Sequence, residues 1–512
     1  MQYVDKLVRR KANDYAPERP VPWRERKRRF HRAVCLRLTL KQSEEVQVTA
    51  LASRSAKVLL FATWITLVLS RVGYGQTNDE VNAGIQFNFS PPGARSLALG
   101  GAFVGLADDA TAAVANPAGL IHLSRPEVSA EGRRSSYTNV FTDRGHAFGD
   151  PTGIGVDTVP GIITNTSEKV LTNLSFTSFV YPRGRWRVAV YRQELADFSV
   201  SFRSRGIYFG SLPGTVFLNR DLPIAASLGL RVVNLGVSGA FQVNDALSLG
   251  LGLASAHFTL SSQTVRFDAF APFFAPPDYS LAQHSLTATQ SGSDHDVALN
   301  AGLLWSISRK WAAGAVYRQG PEFRFRTTLA AGLDGFSGPP GAVIVTNRAS
   351  FHVPDAYAAG VAFQPTETLT ITADYDRIRY SELTRFTVDV FASSAFQDPS
   401  VKQLVINDAN EFHLGAEYTL AGMKTPLFLR IGGWWDPDHK IRFNGAPTIN
   451  PVNNSLTTLA TLSFLRFRPG QDEVHVTGGV GLVWLSGRFQ LDAAYDYSRF
   501  VSVASLSGVV RF

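Results

Sequence analysis

The sequence predicts an all-β transmembrane protein: an antiparallel barrel of about fourteen strands, preceded by a compact segment that is not strand. Three observations lead there. Beyond residue 125, runs of about a dozen residues alternate in polarity with a period of two. Tight turns and long polar stretches take turns between those runs. The last run then ends the chain on an aromatic residue, Phe512. Period two places apolar and polar side chains on opposite faces of a strand. Lipid demands closure, because backbone groups in hydrocarbon must be paired internally and a barrel leaves no free edge.

Composition excludes the main alternatives. Only 18% of the 512 residues are charged, against roughly a quarter in soluble domains, and one cysteine excludes a disulfide scaffold or a cysteine-based zinc site. No apolar run reaches the ~20 residues a spanning helix needs. The net charge of +8 is local: residues 1–75 hold 16 of the 50 basic and 6 of the 42 acidic groups, leaving 34 against 36 elsewhere. No nucleic-acid partner is expected of such a chain.

Residues 54–75 read as a signal peptide. Arg54 and Lys57 precede the apolar core Val58–Leu69, and the small residues Gly73 and Gly75 set cleavage near Gly75. Residues 1–53, polar, basic and carrying Cys35, read as a mis-called or non-native extension. Export to the outer membrane of a Gram-negative bacterium is the expectation.

Residues 126–512 supply the strands. In the run Arg488–Ser498, Phe489, Leu491, Ala493, Tyr495 and Tyr497 share one face, with Asp492 and Asp496 on the other. Leu369, Ile371, Ala373 and Tyr375 repeat the split, as do Leu247, Leu249, Leu251 and Leu253. Tight turns fall near 182–185, 244–245, 308–310, 364–367, 421–425 and 486–487. Long stretches lie near 139–167, 203–223, 264–293, 328–353, 383–408 and 438–472. Short turns on one rim and long loops on the other are the transmembrane-barrel signature. Trp186, Trp311, Trp484 and Phe489 stand beside tight turns, as an interfacial girdle requires. At the end, Leu506, Gly508, Val510 and Phe512 share a face, while Ser505, Ser507 and Arg511 face the lumen. Such a strand is the expected signal for the barrel-assembly machinery.

Residues 76–125 do not alternate. Small residues dominate Gly93–Leu120; Asp108 or Asp109 can cap a short helix over 110–115, Asn116 can cap the next turn with Pro117 at its first position, and Gly119 permits the exit. On these residues the chain resembles a known family, the outer-membrane long-chain fatty-acid and aromatic-hydrocarbon transporters of the FadL/TodX type. The order Gly93-Ala94-Arg95, Gly100-Gly101-Ala102-Phe103, Ala107-Asp108-Asp109-Ala110 and Asn116-Pro117-Ala118, directly before the first strand, carries the resemblance. It implies that 76–125 is a hatch filling the barrel, with Gly100, Gly101, Asp108, Asp109, Asn116, Pro117 and Ala118 as hatch residues. The Asn-Pro-Ala-Gly pattern also marks related barrels with secretion-accessory roles, so it specifies architecture better than cargo.

Candidate ligand contacts follow. The loop Val265–Ser280 concentrates Phe267, Phe270, Phe273, Phe274 and Tyr279 among prolines, and exposed apolar bulk of this kind covers or binds something. The resemblance implies that the third and fourth external loops form the first capture site. The next long loop, with Leu333, Phe336 and Ala342–Val345, is also apolar. In the third strand Trp186, Val188 and Val190 point to lipid, but the period continues to Arg192, where mid-depth lipid would penalise a charge by ~2–4 kcal/mol. A kink over Ala189–Gln193, involving Ala189, Tyr191 and Arg192, or a place for Arg192 at the outer interface, would resolve this; the resemblance makes such a kink a lateral exit. Arg187, Arg318, Asp374, Asp376, Asp492 and Asp496 are expected to form a solvated lumen wall, and the acidic-histidine runs 294–296 and 436–439 solvated loop edges. No catalytic motif, metal site or cofactor is read from the sequence. The expectation is a monomeric passive transporter of hydrophobic small molecules, with outer-membrane lipid and lipopolysaccharide around it; the alternative is a structural or secretion-accessory barrel with a permanent plug.

Overall fold

The computed structural model describes residues 89–146, 151, 158–209, 219–220, 224–267, 284–331, 343–383, 404–420, 425–439, 442–443 and 472–512. Fourteen antiparallel strands cross the membrane. They are β1 (Glu127–His146), β2 (Gly161–Arg183), β3 (Trp186–Ser204), β4 (Ile224–Gln242), β5 (Leu247–Phe267) and β6 (His284–Ser306). Two interrupted strands follow, β7 (Trp311–Gln319 and Glu322–Ala331) and β8 (Val343–His352 and Ala356–Thr366). Last come β9 (Leu369–Ile378), β10 (Ala409–Leu420), β11 (Leu427–Asp436), β12 (Glu473–Trp484), β13 (Phe489–Tyr497) and β14 (Val501–Arg511). Each pairs with its sequence neighbours, and β1 closes on β14 from Glu127↔Arg511 to Tyr137↔Val501. The expected count holds, as do the tight turns among the described residues; the one expected at 421–425 lies mostly outside them.

Lipid selects the outward face. Leu249, Leu251 and Leu253 on β5, Tyr495 and Tyr497 on β13, and Leu506 on β14 are exposed, while Asp492, Asp496, Ser505 and Arg511 are buried inward. Trp186, Trp311 and Trp484 are exposed at the short-turn rim, where the girdle was expected. The strands, however, run further than the sequence pattern suggests. Residues 139–146 and 161–167, expected in a loop, are paired across β1 and β2, and β5 and β6 stay paired out to Phe267↔His284. Above the lipid a strand no longer needs an apolar outer face, so the pattern that marks a spanning strand fades before the pairing does.

β7 and β8 break together. Gly320–Pro321 interrupts one and Val353-Pro354-Asp355 the other, as expected of proline, which donates no ladder bond. Asp355 fills the joint: its carboxylate accepts from Gly320 N and Tyr317 Oη, both at 2.9 Å, and its own amide donates to Glu382 at 3.0 Å. His352, Asp355 and Glu382 lie close enough together to face one cation, yet both Asp355 oxygens are bonded within the joint, and Arg379 neutralises Glu382 at 2.8 Å. Facing the break, Asp296 accepts from Glu322 N at 2.7 Å and Asp294 from Arg324 N at 2.8 Å. These two aspartates, expected at a solvated loop edge, stand in for missing ladder acceptors.

Candidate functional site

Residues 89–123 lie inside the barrel, bonded to strands around most of its circumference. A short helix α1 (Ala94–Ala98), a second, α2 (Ala112–Ala115), and a 3-10 turn (Pro117–His122) are joined by tight bends. Gly100 and Gly101 both adopt positive φ, 66° and 79°, where a side chain is strained. There the chain meets the wall, and the His413 imidazole N–H donates to the Gly100 carbonyl at 2.7 Å. Asn116 is fully buried and acts as expected, its side-chain oxygen accepting from Ala118 N at 3.2 Å ahead of Pro117. It does more than cap, because its amide also donates to Val104 O at 2.9 Å and to Leu303 O on β6 at 3.0 Å.

Wall glycines make this contact possible. A β-carbon at Gly302 on β6 would fall 2.2 Å from Asn116 Oδ1, and one at Gly250 on β5 would fall 2.1 Å from Ala118 N. Gly250 and Gly302 are direct cross-strand partners, as are Gly314 with Gly360 and Gly415 with Gly432. The result is a girdle of inward glycines level with the segment. Gly119 answers to the same demand, since a β-carbon there would strike Ala107 O at 2.0 Å. It allows close approach rather than the exit from a turn.

The lumen charges are not the solvated wall the sequence suggested. Asp374 accepts from both Phe103 N and Val104 N at 2.6 Å, Arg318 donates to Ala115 O at 2.8 Å, and Arg187 to Leu123 O at 2.7 Å. Arg95 of α1 bonds Asp108 and grips Glu417 on β10 at 2.8 and 3.0 Å; Glu417 holds Arg430 on β11 at 2.6 Å, which holds Asp492 on β13 at 2.6 Å. Burial favours the neutral form of Asp108, but the Arg95 guanidinium outweighs it and holds the carboxyl below its ordinary range. Asp109 bonds Thr111 N at 2.9 Å and does not cap α2 directly. With the lumen filled, inward charges become an internal interface.

Above this plug the wall changes character. On β5 the outward residues run Leu249, Leu251, Leu253 and then Ser255, Thr259, Ser261, while the inward ones run Ser248, Gly250, Gly252 and then Ala256, Phe258, Leu260. The hydrophobic pattern changes phase near residue 254 although pairing to β4 continues without a shift. On β4 the same inversion separates outward Leu235 and Val237 from inward Leu228, Leu230 and Val232. Together with Phe141, Phe198, Phe202, Phe323 and Phe325 these inward residues form one apolar cluster. Its rings stack in pairs, Phe141 on Phe202 at 4.7 Å and Phe258 on Phe323 at 4.9 Å. Sequence reasoning missed this cluster; the change of phase in β4 and β5 was its signal.

In β3 the inversion uses a bulge. Pairing to β4 shifts register between Glu194 and Ala196, and pairing to β2 ends at Phe176↔Gln193. Ala189, Tyr191 and Arg192 therefore lie in regular sheet, and the irregularity falls just beyond the residues expected to kink. Arg192 does face outward, paired with Leu235, and its guanidinium donates to the Leu174 carbonyl, which has lost its ladder partner. Of the aromatic loop only Phe267 is described, as the last residue of β5; Phe270, Phe273, Phe274 and Tyr279 lie outside the described residues.

Fold and lumen define a plugged outer-membrane barrel with an apolar interior wall. Residues 223–441 match the family described as outer membrane protein transport protein (OMPP1/FadL/TodX). A long-chain fatty acid transport protein of Salmonella typhi is 23% identical over 356 residues, 65% of this chain and 71% of its own length. Among solved structures, the toluene transporter TodX of P. putida superposes with a TM-score of 0.54 at 14% identity, over 83% of this chain and 99% of its own. A Pseudomonas aeruginosa FadL homologue gives 0.52 at 13%, over 84% and 99%. The match begins a hundred residues past the Asn-Pro-Ala motif, so two separate parts of the sequence resemble the FadL/TodX type.

Proposed function

We propose that this protein takes up hydrophobic small molecules, long-chain fatty acids or aromatic hydrocarbons, passively across the outer membrane. The observation that supports it best is the apolar, aromatic inner wall of β3–β5 and β7, in a part of the barrel whose outer face is already polar. Burial at ~25 cal/mol per Å2 would supply the roughly 8 kcal/mol of micromolar capture once about 300–400 Å2 of ligand is covered. In this reading the loop around Phe267, Phe270, Phe273, Phe274 and Tyr279 captures ligand and the aromatic wall receives it. Residues 76–125 act as a hatch that stays seated. The interrupted β2–β3 pairing is the sideways route to the membrane, a direction favoured by the glycine girdle, against which the plug packs closely. The accessory-barrel alternative shares the seated plug but has no use for an apolar wall above it.

The test is equilibrium binding of labelled oleate and of toluene to folded protein, intact or carrying Phe273→Asp with Phe274→Asp. Saturable binding weakened by the double substitution is expected. No binding by a heat-modifiable, folded barrel would defeat the uptake reading and leave the accessory role.

A further inference from the structure

The two strands that flank the missing pairing are each well held on their other side. β2 stays paired to β1 as far as Gly161↔His146, and β3 to β4 as far as Ser204↔Ile224. Between β2 and β3, above Phe176↔Gln193, no ladder exists. Bulges on both sides start the separation: β2 skips Ser175 against β1, and β3 skips Leu195 against β4. Side chains span the gap instead. The Asn173 amide donates to Asp197 Oδ2 at 2.5 Å, and the Ser167 hydroxyl donates to Ser201 O at 2.5 Å. Behind them a cavity of about 50 Å3, bordered by Tyr137, Leu171, Ser175 and Gln193, has room for a water or two but not for a hydrocarbon chain.

We propose that Asn173 and Asp197 form a latch that holds the β2–β3 opening shut, and that ligand leaves the barrel only when the latch parts. Asp197 is free to serve it because its cross-strand neighbour Arg231 is already committed to Glu194 at 2.7 Å. One side-chain pair beside two side-chain-to-backbone bonds, from Ser167 and from Arg192, is weak compared with the ladders anchoring these strands to β1 and β4, so the opening is the place where this wall yields first. The inference rests on the uptake reading and adds to it the residues that gate the route.

The test uses the full chain with Cys35→Ser, Asn173→Cys and Asp197→Cys, in cells whose uptake of labelled oleate depends on this barrel. Bridging the two thiols with a short bifunctional thiosulfonate should slow uptake at least tenfold, leave oleate binding to the purified protein unchanged, and reverse on reduction. Asn173→Ala alone should bind oleate as the parent does and take it up two- to threefold faster. Uptake that stays fast after bridging overturns the latch while leaving uptake itself intact; so does an Asn173→Ala protein no faster than the parent. A parent that neither binds nor takes up oleate removes the uptake reading, and the latch with it.

Discussion

The lumen has two unlike walls. From β9 to β13 it is charged, and its charges meet the plug: Asp374, Glu417, Arg430 and Asp492 are all buried in pairs or against backbone amides. From β3 to β5, above the plug, it is apolar, and its rings meet each other. The first wall specifies one position of one segment, because directional bonds are satisfied in only one arrangement. The second specifies little beyond apolarity, because dispersion and burial are not directional. A barrel that holds a plug and admits many ligands needs both.

The largest effect should come where the plug touches the wall most closely. Gly302→Val is expected to cut the folded, heat-modifiable fraction more than tenfold, because its first side-chain carbon already falls 2.2 Å from Asn116 Oδ1, and that side chain is held by bonds to Val104, Leu303 and Ala118. Arg430→Met should lower unfolding free energy by about 3–5 kcal/mol in a denaturant titration, since it removes the cation paired with buried Asp492 and leaves Glu417 with Arg95 alone. On the apolar wall the contrast is sharper still within one strand. Phe258→Asp should weaken oleate binding more than tenfold, while its neighbour Thr259→Asp, facing outward, should leave binding within twofold. Equal effects would mean that the inner cluster is a structural core with no part in binding.

The smallest effect concerns pH. Burial alone would lower His439, but Asp436 at 3.1 Å outweighs it and raises the imidazole to about 9. The folded value exceeds the unfolded one of about 6.5, so the pair contributes fully below that and loses its contribution as pH rises through about 9. The melting temperature of the parent should therefore fall slightly further between pH 7 and 10 than that of Asp436→Asn. An identical fall in both would assign the pair no weight.

Strands, turns and closure were legible because each outward residue answers to lipid, a solvent with one demand along the whole strand. Arg192 shows where legibility stops. Its even position continues Trp186, Val188 and Val190, and in sequence so do Ala196, Phe198, Val200 and Phe202; only the bulge before Ala196 moves the later set from the outer face to the inner one. In β4 and β5 the same inversion is written as a change of phase with no bulge, which a reading tuned to one continuous alternation passes over, so the strands were placed but not their apolar inner face. The Asn-Pro-Ala motif was legible as a turn with its cap, but not its grip on Leu303, since that partner lies on a strand far along the chain.

By itself, then, the sequence determined that this chain makes a closed fourteen-stranded barrel with a small-residue segment ahead of it, because period-two patterning, tight turns and small residues act over short distances along the chain. Which inward charges bind the plug, which glycines admit it, where the wall turns apolar and where β2 parts from β3 were decided by tertiary structure alone. Each of these depends on residues on different elements, tens to hundreds of positions apart, being brought within a few ångströms, and neither polarity nor spacing along one strand records what stands across the lumen.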